Sequence, residues 1–137
     1  MLQVLREKVQ NLLSLYQLHD MKKQIFIVDD DPAILDALEL ALNSVYTIKT
    51  FVNGEDLLNY HDTHPDLVLL DKQLPGIDGL DVCRNLKEQL ITSKVPVIIL
   101  SASPHLNDFA RLAGADEVLE KPFSLKSLRM TLERYLK

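Results

Sequence analysis

From Lys22 onward, apolar residues fall into two alternating arrangements. Unbroken apolar runs rich in Ile, Val and Leu at 25–28, 67–70 and 97–100 lack the polar alternation of a half-exposed strand. They predict strands buried on both faces of a parallel sheet. Residues 46–51, with Thr47 and Lys49, and 117–120, around Val118 and Leu119, are mixed and predict edge strands with one face toward solvent. Between the strands, apolar residues recur at helical spacing behind readable starts. Asp31-Pro32 pairs an N-cap with a proline suited to a first turn and opens a helix through about Asn43. Asn53-Gly54-Glu55-Asp56 opens a second, ending near His61, and Asp78 to about Gln89 forms a third, with Leu80, Cys83, Leu86 and Leu90 on one stripe. Ser103-Pro104 starts the fourth, which stops at Gly114. Ser124 caps the fifth, where Leu125, Leu128, Leu132 and Leu136 recur.

Five strand–helix repeats predict an α/β fold, a (βα)5 doubly wound parallel sheet with right-handed crossovers. Three central and two edge strands fit the 2-1-3-4-5 order of flavodoxin-like folds. Residues 22–137 form this domain, and residues 1–21 stand apart as an N-terminal extension. There Leu2, Leu5, Val9, Leu12 and Tyr16 are spaced 3-4-3-4, a heptad seam. The spacing favours an extra N-terminal helix, packed on the domain or pairing in a short homodimeric coiled coil, over a disordered leader preceding a start at Met21.

Composition narrows the classes. At 137 residues with 47% apolar and 26% charged, the chain suits one globular domain with its own core. A net charge of −5 argues against general binding to nucleic acid or anionic membrane. No run approaches the ~18 apolar residues of a membrane span, and no signal peptide is visible. The lone Cys83 excludes an internal disulfide and fits a reducing cytoplasm. No His is near it in sequence, so a packed thiol is expected rather than a nucleophile.

The candidate chemistry lies at the strand ends. Asp29, Asp30 and Asp31 follow the first strand, Asp71 the third, Ser101 the fourth and Lys121 the fifth. In an open parallel sheet these ends converge on one rim, and ligands bind at the switch in strand order. That switch falls between the first and third strands, where Asp29, Asp30 and Asp71 would meet. Several carboxylates so close need a counter-charge, and a hard cation such as Mg²⁺ suits oxygen ligands beside phosphate. One carboxylate could then act as nucleophile and form an acyl phosphate. Lys121 would supply charge, Ser101 a hydroxyl, and backbone amides near residues 72 and 102 further donors.

With these residues in view, the chain resembles the response-regulator receiver family. The resemblance is carried by Ile-Val-Asp29-Asp30-Asp31-Pro, Leu-Leu-Asp71-Lys-Gln-Leu-Pro75-Gly-Ile-Asp-Gly79, Ser101-Ala102 and Lys121-Pro122-Phe123. It implies a phosphorelay function, with Asp71 as phosphoacceptor and Asp30 as a direct Mg²⁺ ligand. Asp29 would assist, and the Gln73 carbonyl would complete the protein's share of the metal shell. It further implies Ser101 as the switch hydroxyl, the Ala102 amide and Lys121 as phosphate partners, and a cis bond before Pro122. The donor would be a histidine kinase or phosphotransfer domain. The outgoing face would be built from the fourth helix, fifth strand and fifth helix, with that face or residues 1–21 available for homodimerisation. No enzymatic turnover beyond its own phosphorylation and dephosphorylation is implied, and with no output domain after Lys137 the chain reads as a stand-alone receiver or an excised piece.

One position departs from the family. Three residues before the lysine the family usually has Tyr or Phe, where this chain has Val118, so any signal is expected to pass through backbone shifts around Ser101 and the fourth helix. Gln73 and Ser103 resemble positions that tune phosphoryl lifetime. Two rivals are a haloacid-dehalogenase-like phosphohydrolase, with Asp29 and Asp31 as its acid pair, and a phosphorylation-independent pseudo-receiver. His61 and His64, with Asp62 and Asp66, are loosely spaced around Pro65 and predict a solvated loop rather than a metal site.

Overall fold

Each unbroken apolar run becomes a strand sealed on both faces. The computed structural model describes residues 1–103 and 105–137, with the backbone alone for 15–21. After a helix α1 (Leu2–Met21) come β1 (Gln24–Val28), α2 (Pro32–Leu42), β2 (Thr47–Phe51), α3 (Gly54–Asn59) and β3 (Leu67–Asp71). They are followed by α4 (Gly79–Glu88), β4 (Val97–Ser101), α5 (Asn107–Leu112), β5 (Glu117–Glu120) and α6 (Leu125–Tyr135). All strand pairs are parallel and the order is β2-β1-β3-β4-β5. The expected flavodoxin-like sheet is therefore present, with the two mixed strands at its edges.

Strand alternation divides the core into two halves. Phe26, Val28, Val68, Leu70, Val97 and Ile99 pack with α3, α4 and α5. Ile25, Ile27, Leu67, Leu69, Ile98 and Leu100 pack with α2 and α6. Burying one such side chain contributes roughly 1.5–3 kcal/mol, so the sheet interior is the main source of stability. The expected caps also form: Asp31, Asn53, Asp78 and Ser124 each accept a hydrogen bond from a backbone N–H in the first turn of α2, α3, α4 and α6.

The ends of α3 and α4 fall within two residues of the sequence reading, whereas one stripe residue, Leu90, and the start of α5 differ from it for local reasons. α4 stops at Glu88 because Gln89 is extended and the Thr92 hydroxyl donates to the Leu86 carbonyl at 2.6 Å. Leu90 therefore leaves the apolar stripe and is 93% exposed. α3 stops at Asn59, and the Tyr60 ring instead packs edge-on against Phe26 and Phe51. α5 begins at Asn107 rather than at Ser103-Pro104. Ser103 uses its amide to donate to the Ser101 hydroxyl, and Pro104 lies outside the described residues.

Leu2–Met21 are helical, as the spacing favours. Leu2, Leu5, Val9 and Leu12 are all at least half exposed, so this stripe is not packed on the domain; the Tyr16 side chain lies outside the described residues. Among the described residues no helix is long and apolar enough to cross a membrane.

Candidate functional site

The sheet register brings the acids together. β1 and β3 are neighbours with Val28 opposite Leu70, so Asp29 and Asp71 emerge side by side where these strands end. The Asp29 amide donates to the Phe51 carbonyl and the Lys72 amide to the Leu100 carbonyl, fixing the backbone on either side. The Lys121 amide donates to the Ser101 carbonyl at 2.8 Å, which delivers the lysine to the same rim. Its Nζ lies 3.3 Å from Asp71 Oδ1 and 3.6 Å from Asp29 Oδ2. Parity separates the remaining group. Asp29, Asp71 and Lys121 continue the alternation of the side chains facing α2 and α6, whereas Ser101 and Val118 continue that of the opposite half, toward α5.

Asp29 is the most constrained of these residues. It is 1% exposed, and its Oδ1 accepts a hydrogen bond from the Asp31 amide at 2.9 Å. Oδ2 is buried without a hydrogen-bond partner, alone in this among the described residues. Burial pushes the Asp29 carboxyl above its ordinary range; the Asp31 amide bond opposes this, the Asp71 charge adds to it, Lys121 opposes it and Asp30 adds to it. A buried carboxylate oxygen with no donor is costly, and one lysine shared between two acids leaves the cluster short of positive charge.

The donor set fits a small divalent cation. Asp29, Asp30 and Asp71 can each place a carboxylate oxygen within 4.8 Å of the others. In an octahedral shell of ~2.1 Å radius, ligand oxygens stand roughly 3–4.2 Å apart, so small side-chain rotations would suffice. Asp30 is exposed whereas Asp29 and Asp71 are buried, which gives the cluster one open side. That side is an open cleft of about 710 Å³ lined by Asp30, Asp71, Gln73, Ser101, Ala102 and Lys121 among others, space enough for a phosphoryl group and the group that brings it.

The other singled-out residues sort by position. Val118 is partly buried on the α5 side and does not line this cleft. The Lys121–Pro122 peptide bond is cis. Asp31 is engaged as the cap of α2 rather than as a second acid of an Asp-x-Asp pair. The His61–His64 loop forms no cluster of three ligands among the described residues, and Cys83 is buried within the core. Sequence reasoning missed two residues that line the cleft and one contact to a neighbouring loop. His105 and Phe109 also line the cleft, but periodicity places them on a helix without saying which way that helix faces. The contact is made by Glu55, whose Oε1 accepts from the Ile77 amide at 2.8 Å; its place in a first turn reads as an ordinary helix-start acid.

Comparison with known proteins agrees with this geometry. The family model described as response regulator receiver domain matches residues 25–133. Curated relatives include the alkaline phosphatase synthesis transcriptional regulatory protein PhoP of Bacillus subtilis, 34% identical, with 85% of this chain and 50% of that protein covered. Another is the DNA-binding response regulator MtrA of Mycolicibacterium smegmatis, 37% identical, with 79% and 48% covered. The chain thus spans about half the length of the curated relatives it matches. Among solved structures, the BeF3-activated DrrB receiver domain is 34% identical, with a TM-score of 0.76 and 85% of this chain and 98% of that one covered. The response regulator TrrA of Thermotoga maritima, solved in complex with Mg²⁺–BeF, is 34% identical, with a TM-score of 0.74 and 83% and 99% covered. Sheet order, the acidic rim and the matched span all agree, and the chain belongs to the response regulator receiver domain family.

Proposed function

We propose that this chain is the receiver of a two-component phosphorelay, taking a phosphoryl group from a phosphohistidine onto Asp71. The observation that carries the reading is the meeting of Asp29, Asp30 and Asp71 with one lysine at the mouth of an open cleft. An Asp71 carboxylate oxygen attacks phosphorus, the P–N bond to the donor imidazole breaks, and that imidazole leaves as Asp71 becomes an acyl phosphate. The chemistry is largely positioning and charge neutralisation. Asp29, Asp30, Asp71 and the Gln73 carbonyl would hold Mg²⁺, which supplies positive charge to the transferring phosphoryl oxygens. Lys121 gives up part of its pairing with Asp71 to bind a phosphoryl oxygen, and the Ser101 hydroxyl and Ala102 amide donate to others. The chain's chemistry is confined to its own aspartate. A cytoplasmic location is part of the same reading, supported by a kinase as donor and by the free thiol of Cys83.

Because Ser101 and Val118 lie on the α5 side, engagement of the Ser101 hydroxyl draws on the backbone leading into α5, with no aromatic rotamer to report it. The downstream protein then reads the face of α5, β5 and α6. Residues 1–21 act as an extension separate from the receiver domain of 22–137, and the exposed stripe of α1 pairs with a second copy. A loss of dimer on deleting 1–21, measured by light scattering, supports the pairing; an unchanged number of chains per particle, or a monomeric full chain, sinks it.

Beryllofluoride with Mg²⁺ tests the central reading. Fluorine NMR should show bound beryllofluoride on the wild-type chain and none on Asp71→Asn. No bound signal on the wild type would leave a phosphorylation-independent binding module instead.

A further inference from the structure

The loop between β3 and α4 carries the Gln73 carbonyl, and one of its anchors comes from outside the site. The ends of the loop are closed locally. The Gly79 amide donates to the Lys72 carbonyl at 3.0 Å, and Lys72 Nζ pairs with Asp78 at 3.1 Å. Between Gln73 and Ile77 there is one hydrogen bond among the described residues, from the Ile77 amide to Glu55 Oε1. Leu74 and Ile77 add apolar contacts with the core, but such contacts hold depth rather than the orientation of a peptide.

Two glycines make room for this reach. Gly76 has φ +73, and a Cβ there would lie 2.3 Å from Glu55 Oε1. A Cβ on Gly54 would lie 2.4 Å from Val82 Cγ2, so the start of α3 can sit close against α4. Helix α3 does not need the Glu55 carboxylate for itself. Its cap is made by Asn53, which accepts from the Asp56 amide at 2.8 Å and is itself bonded to the Asp56 carboxylate.

From this arrangement we infer that Glu55 is a positioning residue for the cation site. By holding the Ile77 amide, it fixes the loop that presents the Gln73 carbonyl and so reduces the ordering required when Mg²⁺ binds. The inference rests on the proposed function, in which that carbonyl is a metal ligand. What matters is an acceptor oxygen at the right reach. Glutamine keeps it, aspartate is one methylene short, and alanine lacks it.

The test is a Mg²⁺ titration of the full chain followed by amide NMR shifts, since the protein has no tryptophan to report binding. Glu55→Ala and Glu55→Asp should weaken Mg²⁺ binding by roughly 3- to 10-fold, the equivalent of one hydrogen bond. Glu55→Gln should stay within about twofold of wild type on the same scale. Melting curves recorded alongside separate positioning from bulk stability. Variants that melt earlier but bind Mg²⁺ as wild type overturn the inference, as does Glu55→Gln binding as weakly as Glu55→Ala. If the alanine variant does not fold, the contrast between Asp and Gln decides the matter by the same criteria. A wild-type chain indifferent to Mg²⁺ would overturn the proposed cation site and this inference with it. Normal wild-type binding with unchanged variants overturns this inference alone.

Discussion

Replacing Asp29 by Asn should make the metal-free protein more stable, although it removes a charge facing a lysine. Asparagine keeps Oδ1 for the Asp31 amide and puts an amide nitrogen where the unpartnered Oδ2 lies. That nitrogen can donate toward Asp71, while Lys121 keeps its 3.3 Å contact with Asp71. The lost Asp29–Lys121 attraction acts over a longer 3.6 Å separation. Relief of one buried, unsatisfied carboxylate oxygen is worth ~1–3 kcal/mol. At roughly 4 °C per kcal/mol for a domain of this size, Tm should rise by about 4–12 °C at neutral pH. The pH dependence identifies the cause. In the unfolded chain Asp29 titrates near 3.8, and in the fold burial holds it higher. Above both values the folded protein carries the full cost of the buried charge. As pH falls through the raised value, the folded wild type takes up a proton and recovers stability, so the variant's advantage shrinks and disappears near 3.8. Differential scanning calorimetry in EDTA from pH 4 to pH 7.5, then with added Mg²⁺, measures all of this. Mg²⁺ should raise the wild-type Tm more than the variant's. A variant less stable than wild type at pH 7 without metal would refute the reasoning, as would an advantage unchanged at low pH.

Gly79→Ala should destabilise despite alanine's better helix propensity, because its Cβ would lie 2.2 Å from the Asp71 carbonyl oxygen and 2.8 Å from Lys72 Cα. Overpacking against backbone costs about 1–3 kcal/mol, so a lower denaturation midpoint and impaired phosphorylation of Asp71 by acetyl phosphate are expected. Cys83 should be silent toward a thiol reagent in the native protein, since burial pushes its thiol up to about 11 and its Sγ faces the Ala113 carbonyl. Modification should appear only as the chain unfolds, and rapid native labelling at pH 7 would contradict the packing described. Urea melts should place Leu86→Ala ~2–5 kcal/mol below wild type and Leu90→Ala within about 0.5, because the first side chain is 4% exposed and the second 93%.

Legibility in the sequence followed the length scale of the controlling interaction. The runs around Ile25, Leu67 and Val97 are short, unbroken and rich in branched residues, so polarity marked them as central strands, while the family resemblance supplied their order. The acids fell into place because they directly follow those runs, so the β1–β3 pairing fixed their meeting. Leu90 misled because it keeps the helical spacing while the Thr92 hydroxyl, two residues on, takes the Leu86 carbonyl and ends the helix. Likewise the reach of Glu55 to Ile77 spans 22 positions, and neither residue announces it. The Pro-Gly at 75–76 indicates a turn but not what lies against it. Local chemistry was thus readable, and side-chain contacts between distant loops were not.

The parity that divides the core also restricts how this domain can change in length. Asp71 shares its side of the sheet with Leu67 and Leu69, and Ser101 is in the opposite phase with Val97 and Ile99. Removing a single residue from within β3 would turn the carboxylate toward α5 and drive core leucines out of phase at the same time. Substitutions can adjust the phosphorylation chemistry and the packing separately, but an insertion or deletion inside a strand changes both together. Natural variation in length should therefore collect in the connecting loops, with the three central strands of five residues each keeping a constant count.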